Sequence, residues 1–310
     1  MKRILRPLTG AIIAAAMGTA SAGIVTFQDD NLDFHLRVVD GVLVPVEADT
    51  RPTNDPDYVG SQLLPGDVLL AVLEYNTAGG EAIGPNRELT GVAVIQASID
   101  NGGFVFSPYE GGLNAAVNAF GSVDINVTGG EAGGGAMLAL WLDGTPDLNI
   151  DAGLVTEASG FTCNNLGECI DQATDGTVFQ VDGFVDGDNN YWEAFGAPLL
   201  ADPSAVLQQP VADIEGFFNA GLSILDPGIS GADGVQLDGN LGPVDALLNG
   251  TVNGGGYSQW VNTAQRDSLV ASGFVATTDT DLQKSIPVPA PLALFGLGLL
   301  GFAFSKRRLT

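Results

Sequence analysis

The apolar positions of this chain fall in short runs, some alternating with polar residues and some continuous. Gly23–Phe27, Leu32–Val39, Val42–Val46, Asp67–Tyr75, Leu89–Ala97, Ser122–Val127 and Ala136–Leu142 are alternating or continuously apolar. Clusters of Gly, Asn, Asp and Pro, such as AGGEAIGPN and TGGEAGGG, separate them. Such runs between turn-forming clusters predict strands, and their spacing predicts a mainly β, antiparallel sandwich or barrel-like body. Asp40–Gly41 stands between two runs and predicts a hairpin turn, because both residues accept positive φ. Val178–Phe184 and Ala246–Val252 are weaker strand candidates. Helical spacing occurs twice. Leu113–Phe120 is short and Ala-rich, and Pro203–Leu225 has Asp202 as its N-cap and Pro210 dividing it. GGEA recurs at Gly79 and Gly129 too briefly to define a repeat. No charged linker divides the body, so the pattern predicts one domain with a few helical insertions.

The two ends break this pattern. Residues 1–22 carry Lys2, Arg3 and Arg6, then an apolar stretch from Leu8 to Met17, then Ala20-Ser21-Ala22. A basic start, a short apolar stretch and a small-x-small site make a secretory signal peptide, with cleavage between Ala22 and Gly23 by signal peptidase. At the other end Pro287, Pro289 and Pro291 precede thirteen apolar residues, Leu292–Phe304, and Lys306, Arg307 and Arg308 follow. Thirteen helical residues rise only ~20 Å, less than a usual span, and the basic end belongs on the cytoplasmic side. The expected segments are therefore 1–22 signal peptide, 23–285 extracellular body and 286–310 sorting tail.

The tail resembles the PEP-CTERM sorting signal, the substrate of exosortases in Gram-negative bacteria. Val288, Pro289, Ala290 and Pro291 stand at the motif position, with Ala290 where that family has Glu. The Gly- and Leu-rich stretch and the basic end match its remaining parts. The resemblance implies transient residence in the inner membrane, processing by an exosortase, and a final place in the cell envelope, at the surface or in the extracellular matrix. It further implies a link to exopolysaccharide, biofilm or floc formation. Gly296, Gly298 and Gly301 spell a dinucleotide-binding pattern, but Pro and the basic end flank them where a strand and a βαβ unit would be required.

Charge sharpens this reading. The chain of 310 residues has 11 Lys plus Arg, 37 Asp plus Glu and a formal net charge of −26. Six of the basic residues lie in the two ends, so the body retains five against 37 acids, a net of −32. Nucleic acid is excluded as a partner, since its binding neutralises phosphates with Lys and Arg. The lone histidine, His35, has no partner that the sequence identifies, and it excludes sites built on several His.

Cys163 and Cys169 are the only cysteines. In an exported chain such a pair predicts a disulfide. Asp186, Asp188 and Asn190 alternate in DGDNNYWE as oxygen ligands do in a calcium loop. Tyr191 and Ala197 then occupy the Gly and Glu positions of an EF-hand, so the match fails there and a polar Gly-Asn-Asp loop is the better reading of the segment. Asp143, Asp147, Asn149 and Asp151 form a looser set of the same kind. There is no G-x-S-x-G, and the many carboxylates single out no glycosidase pair. Trp141, Trp192 and Trp260 could stack on sugars, although large aromatics more often fill cores. The expectation is a non-catalytic surface or matrix protein, with calcium its one candidate cofactor and extracellular polysaccharide a candidate partner. A calcium-assisted glycan-binding or adhesion module and a secreted polysaccharide hydrolase are the alternatives.

Overall fold

The computed structural model describes residues 22–49, 51, 55–57, 59–78, 81–83, 86–100, 103–132, 134–150, 161–196, 214–230, 237–240, 242–253 and 263–287. Its elements in chain order are β1 (Ala22–Val39), β2 (Val42–Pro45), β3 (Val68–Ala78), β4 (Glu81–Ala82), β5 (Glu88–Asp100), β6 (Gly103–Pro108), α1 (Leu113–Asn118), β7 (Ala136–Asp143), α2 (Leu166–Thr174), β8 (Thr177–Gly183), β9 (Tyr191–Gly196), β10 (Ile214–Asp226), β11 (Leu237–Gly239), β12 (Gly242–Val244), β13 (Ala246–Asn253), α3 (Thr263–Ala271) and β14 (Phe274–Pro287).

The large sheet runs β4-β3-β1-β14-β13-β10-β8-β7-β5-β6-β9, and extra pairings of β3 with β5 and of β10 with β9 close it on itself. Every pairing is antiparallel. The closed ring is β3-β1-β14-β13-β10-β8-β7-β5, eight strands, which makes the body a barrel. Its wall changes partners along its height. The first half of β5 pairs with β7 and its second half with β6, while β10 pairs with β8 near its end and with β9 near its start. One rim is thus closed by β7 and β8, the other by β6 and β9.

Both faces of one side of the wall are buried. Leu73, Tyr75, Leu89, Ala93, Leu138 and Leu140 face the lumen. The alternate residues Leu70, Val72, Val92, Val94, Ala139 and Trp141 pack outward against Ala116, Val117, Ile170, Ala173 and Leu269 of the three helices. This double burial is why β3, β5 and β7 read as nearly continuous apolar runs. On β10, β13 and β14 the outward residues Phe217, Asn249 and Asp279 are exposed.

Several expectations hold and several are corrected. Asp40 (φ 51°) and Gly41 (φ 78°) make the turn between β1 and β2, with Val39 paired to Val42. Gly23–Phe27 and Leu32–Val39 are one strand rather than two. Ser122–Val127 is not a strand. The Asn118 side chain bonds both the N–H and the carbonyl of Ile125, and Asn114 does the same for Val127, so amides of α1 take the backbone groups a neighbouring strand would need. Pro203–Leu225 is not helical over its described part. Ile214–Asp226 is β10, with Ala220 and Leu222 inward and Phe217 outward. Gly216 and Gly221 weaken a helix there, and β13 and β9 supply ladder partners on both edges.

The missed elements have local causes. In α2, Asn165 caps the first turn by accepting from the Glu168 N–H at 3.0 Å, and Glu168 Oε2 accepts from the Asn164 N–H at 2.9 Å. Leu166, Cys169, Ile170 and Ala173 then form its buried stripe. The last strand, β14, pairs with β1 from Ala22–Pro287 to Phe34–Phe274 and runs two residues past the boundary drawn at 285. The first and last strands of the body are therefore neighbours, and both chain ends leave from the rim closed by β7 and β8.

Candidate functional site

Three places in the barrel concentrate polar chemistry. The first is the lumen toward the β6–β9 rim, where a cavity of about 90 Å³ is walled mainly by apolar side chains, among them Leu69, Ala71, Ile95, Phe106 and Trp192. Asp33 on β1 also lines it. The Thr278 hydroxyl donates to the Asp33 carboxylate and accepts from Asn31 Nδ2 at 2.8 Å, while Asp33 Oδ2 is buried without a partner. Burial pushes the Asp33 carboxyl up to about 7 against the counter-effect of Thr278.

The second place closes that rim. The segment 59–67 crosses it and sets Leu63 against the lumen. His35 holds the segment by both ring nitrogens, Nδ1 at 2.9 Å from Ser61 Oγ and Nε2 at 2.8 Å from Asp67 Oδ2. Arg37 adds a bidentate pair to Asp67 at 2.7 and 2.6 Å. Burial alone would raise Asp67, but Arg37, the Leu64 N–H and His35 hold it below the ordinary carboxylate value. The partners missing from the sequence are thus Ser61 and Asp67. A Ser, a His and an Asp in a row suggest a nucleophile, yet Ser61 is 4% exposed and His35 is fully buried, so no substrate reaches the hydroxyl. The constellation works as a staple for the closing segment.

The third place lies on the outer face at the opposite rim. Glu88 opens β5 and Asp143 ends β7, and the ladder sets them directly opposite. The loop after β7 folds back so that the Asp147 N–H donates to Glu88 Oε2 at 3.0 Å. Carboxylate oxygens of Glu88, Asp143 and Asp147 lie within 4.8 Å of one another. Asp175, the C-cap of α2, is near enough for Asp143 and Asp147 to raise it further after burial has done so. Burial, then the charges of Glu74 and Asp147, push Glu88 up to about 8 against bonds from the Asp147 and Leu148 N–H groups. Asp147 is raised by burial and by Asp143.

The residues singled out in the sequence are distributed as follows. Cys163 and Cys169 form a buried disulfide with a Cα–Cα distance of 5.0 Å. Gln265 of α3 donates to the Phe161 and Cys163 carbonyls at 2.5 and 2.9 Å, tying that loop to the last helix. Alkylation and mass spectrometry of the secreted protein should find no free thiol. Replacing both cysteines with Ala should cost at most about 3 kcal/mol in urea unfolding, since the loop between them is short. Free thiols in the secreted chain would contradict the bridge.

Asp186, Asp188 and Asn190 sit in the β8–β9 turn, where Gly187 takes φ 90°. Asn190 Oδ1 accepts from the Val185 N–H at 2.8 Å, Ser223 Oγ donates to Asp188 Oδ2 at 2.8 Å, and Asp186 is exposed. Among the described residues, the acidic oxygens that converge belong to Asp143 and Asp147 of the looser set, joined by Glu88, which only strand register could bring there. Asn149 uses its backbone to bond Thr162, and Asp151 lies outside the described residues. Trp141 and Trp192 are buried, Trp192 stacking on Phe218 at 5.8 Å, while Trp260 lies outside the described residues. Residues 1–21 of the expected signal peptide, the motif Val288–Pro291, the apolar stretch Leu292–Phe304 and the basic end Lys306–Arg308 also lie outside them. No helix among the described residues is long and apolar enough to cross a membrane.

Residues 285–308 match the family model for the PEP-CTERM protein-sorting motif. No curated protein and no solved structure matches the chain. The match begins inside β14, so the sorting signal is continuous with a strand of the barrel wall. The chain is an exported protein, sorted by exosortase processing to the cell envelope or surface.

Proposed function

We propose that this sorted chain is a non-catalytic surface or extracellular-matrix protein that contributes to exopolysaccharide-dependent biofilm or floc formation. The observation that carries the reading is the sorting motif running directly out of the last barrel strand. Two features support a passive body. The Ser61–His35–Asp67 row is buried, and the lumen is lined mainly by apolar residues.

The test has two parts. Mass spectrometry of the surface form should find a C-terminus upstream of Lys306 when exosortase is present, and the intact basic end when it is absent. Deleting the gene should reduce cell aggregation and matrix retention. Intact Lys306–Arg308 on the surface form, or unchanged aggregation, would overturn the reading.

A glycan-binding role has a specific observation in its favour. On the exposed face of β9, β10, β13 and β14, Phe195 and Phe217 are 41% and 53% exposed, with ring centroids 5.4 Å apart. Phe217 also lines a groove of about 310 Å³ with Asn219, Asn249, Thr251, Asp279 and Asp281. Exposed rings beside amide and carboxylate groups suit the apolar and hydroxyl faces of a sugar. Saturable binding on a glycan array that is lost in Phe217→Ala would select this role.

A further inference from the structure

We propose that Glu88, Asp143 and Asp147 form a calcium site on the outer face of the barrel, at the rim from which both chain ends leave. Cross-strand neighbours of like charge destabilise a sheet, yet Glu88 and Asp143 are paired directly. The β7 loop then returns a third carboxylate to the same point through the Asp147 N–H. The C-terminal end of α2 and its Asp175 add further negative potential. Among the described residues, no Lys, Arg or His pairs with Glu88, Asp143, Asp147 or Asp175.

A second observation points to a ligand rather than to a solvated acidic surface. Glu88 is 4% exposed, and its Oε1 is buried with no hydrogen-bond partner. A buried carboxylate oxygen without a donor costs desolvation that a cation would repay. The neighbouring aspartates place two further oxygens beside the Glu88 carboxylate.

The donor set selects the cation. All three groups are hard oxygen donors. The chain's one histidine is held between Ser61 and Asp67, and its two cysteines are joined to each other, so soft and nitrogen-preferring metals find no suitable ligands here. Calcium accepts six to eight oxygens in irregular geometry and can complete its shell with water and loop carbonyls, whereas magnesium demands a near-ideal octahedron. The site is independent of the surface role proposed above.

The test is calorimetric titration of chelator-stripped full-length chain with calcium chloride at fixed ionic strength, with thermal unfolding in parallel. One saturable site is expected, with a Kd of ~10⁻⁴–10⁻³ M, the range of extracellular calcium modules. Calcium should raise the melting temperature and magnesium should not match it. Glu88→Gln keeps the shape, removes the charge and can donate from its amide. It should melt higher than wild type without calcium and should lose the calcium response. Asp143→Asn, on the half-exposed arm, should weaken binding at least about tenfold. Asp186→Ala with Asp188→Ala should titrate like wild type. Four results would each overturn the site: no saturable binding, an equal magnesium effect, wild-type titration by Glu88→Gln and Asp143→Asn, or loss of binding in the Asp186/Asp188 variant alone.

Discussion

Lys284→Met is expected to destabilise the barrel by about 3–5 kcal/mol, because it leaves a buried carboxylate without its counter-charge. Lys284 on β14 and Asp182 on β8 are both fully buried and paired with each other. Two strands, β13 and β10, lie between them in the sheet, so the contact crosses the lumen. Burial pulls the Lys284 ammonium below its ordinary value, and Asp182 partly restores it. Gln180 Nε2 donates to Asp182 at 2.5 Å, and the Ser230 hydroxyl donates to Gln180 at 2.8 Å, which extends the pair into a polar chain. The double variant Lys284→Met/Asp182→Asn removes both charges and keeps an acceptor for Gln180. It should recover most of the loss, since replacing a buried pair by neutral groups is often neutral or better. Urea unfolding of the two variants decides the matter. If the single variant is as stable as wild type, the pair is not buried as described.

Asp33→Asn is expected to do the opposite, stabilising the protein at alkaline pH by about 4 kcal/mol. Folding raises this carboxyl from 3.8 to about 7, so the folded chain holds a proton that the unfolded chain has already released. The stability it contributes is fully present below pH ~4 and is lost as pH rises through ~7. At about 1.4 kcal/mol per unit, the shift gives the magnitude stated. The asparagine amide is neutral at every pH and can keep the bond from Thr278. The difference between variant and wild type should therefore be small at pH 4, grow between pH 4 and 7, and level off above. A flat difference across that range would show that Asp33 ionises without penalty in the folded lumen.

What the sequence reveals depends on whether a signal is local. The strands β3, β5 and β7 announce themselves because helices cover their outer face and both sets of side chains must be apolar. The Asp40–Gly41 turn and the sorting motif are equally local, the motif because it is read as a string without any fold. By contrast β14 hides. Its inward residues include Thr278, Thr280 and Lys284, satisfied by Asn31 on β1 and Asp182 on β8, so alternation exists without a hydrophobic signature. The Pro203–Leu225 segment shows a helical period that its tertiary partners override in β10. The acidic rim follows the same rule. Asp143 and Asp147 stand close in sequence and form a loose oxygen set there, but Glu88 joins them only through the register of β5 against β7. The partners of His35 likewise come from a segment that merely passes over the rim.

The pairing of Ala22 with Pro287 has a consequence for how the body is displayed. Ala22 and Pro287 adjoin one rim, and four residues separate Pro287 from the apolar stretch that begins at Leu292. Fully extended, the chain from Pro287 to Leu292 reaches at most ~18 Å. On the sorting reading, a folded barrel awaiting processing would therefore hang with this rim against the bilayer, and a cut within 288–291 would have to be made in that narrow gap. Because β14 completes the ladders of both β1 and β13, the seam of the barrel zips only after nearly the whole chain has been threaded outward. Translocation stalled any earlier would leave β1 and β13 with open edges on the outer side. Once released or transferred to an acceptor at its new end, the body would keep the same polarity. The rim with the acidic cluster would face its attachment point, and the stapled segment 59–67 would face outward.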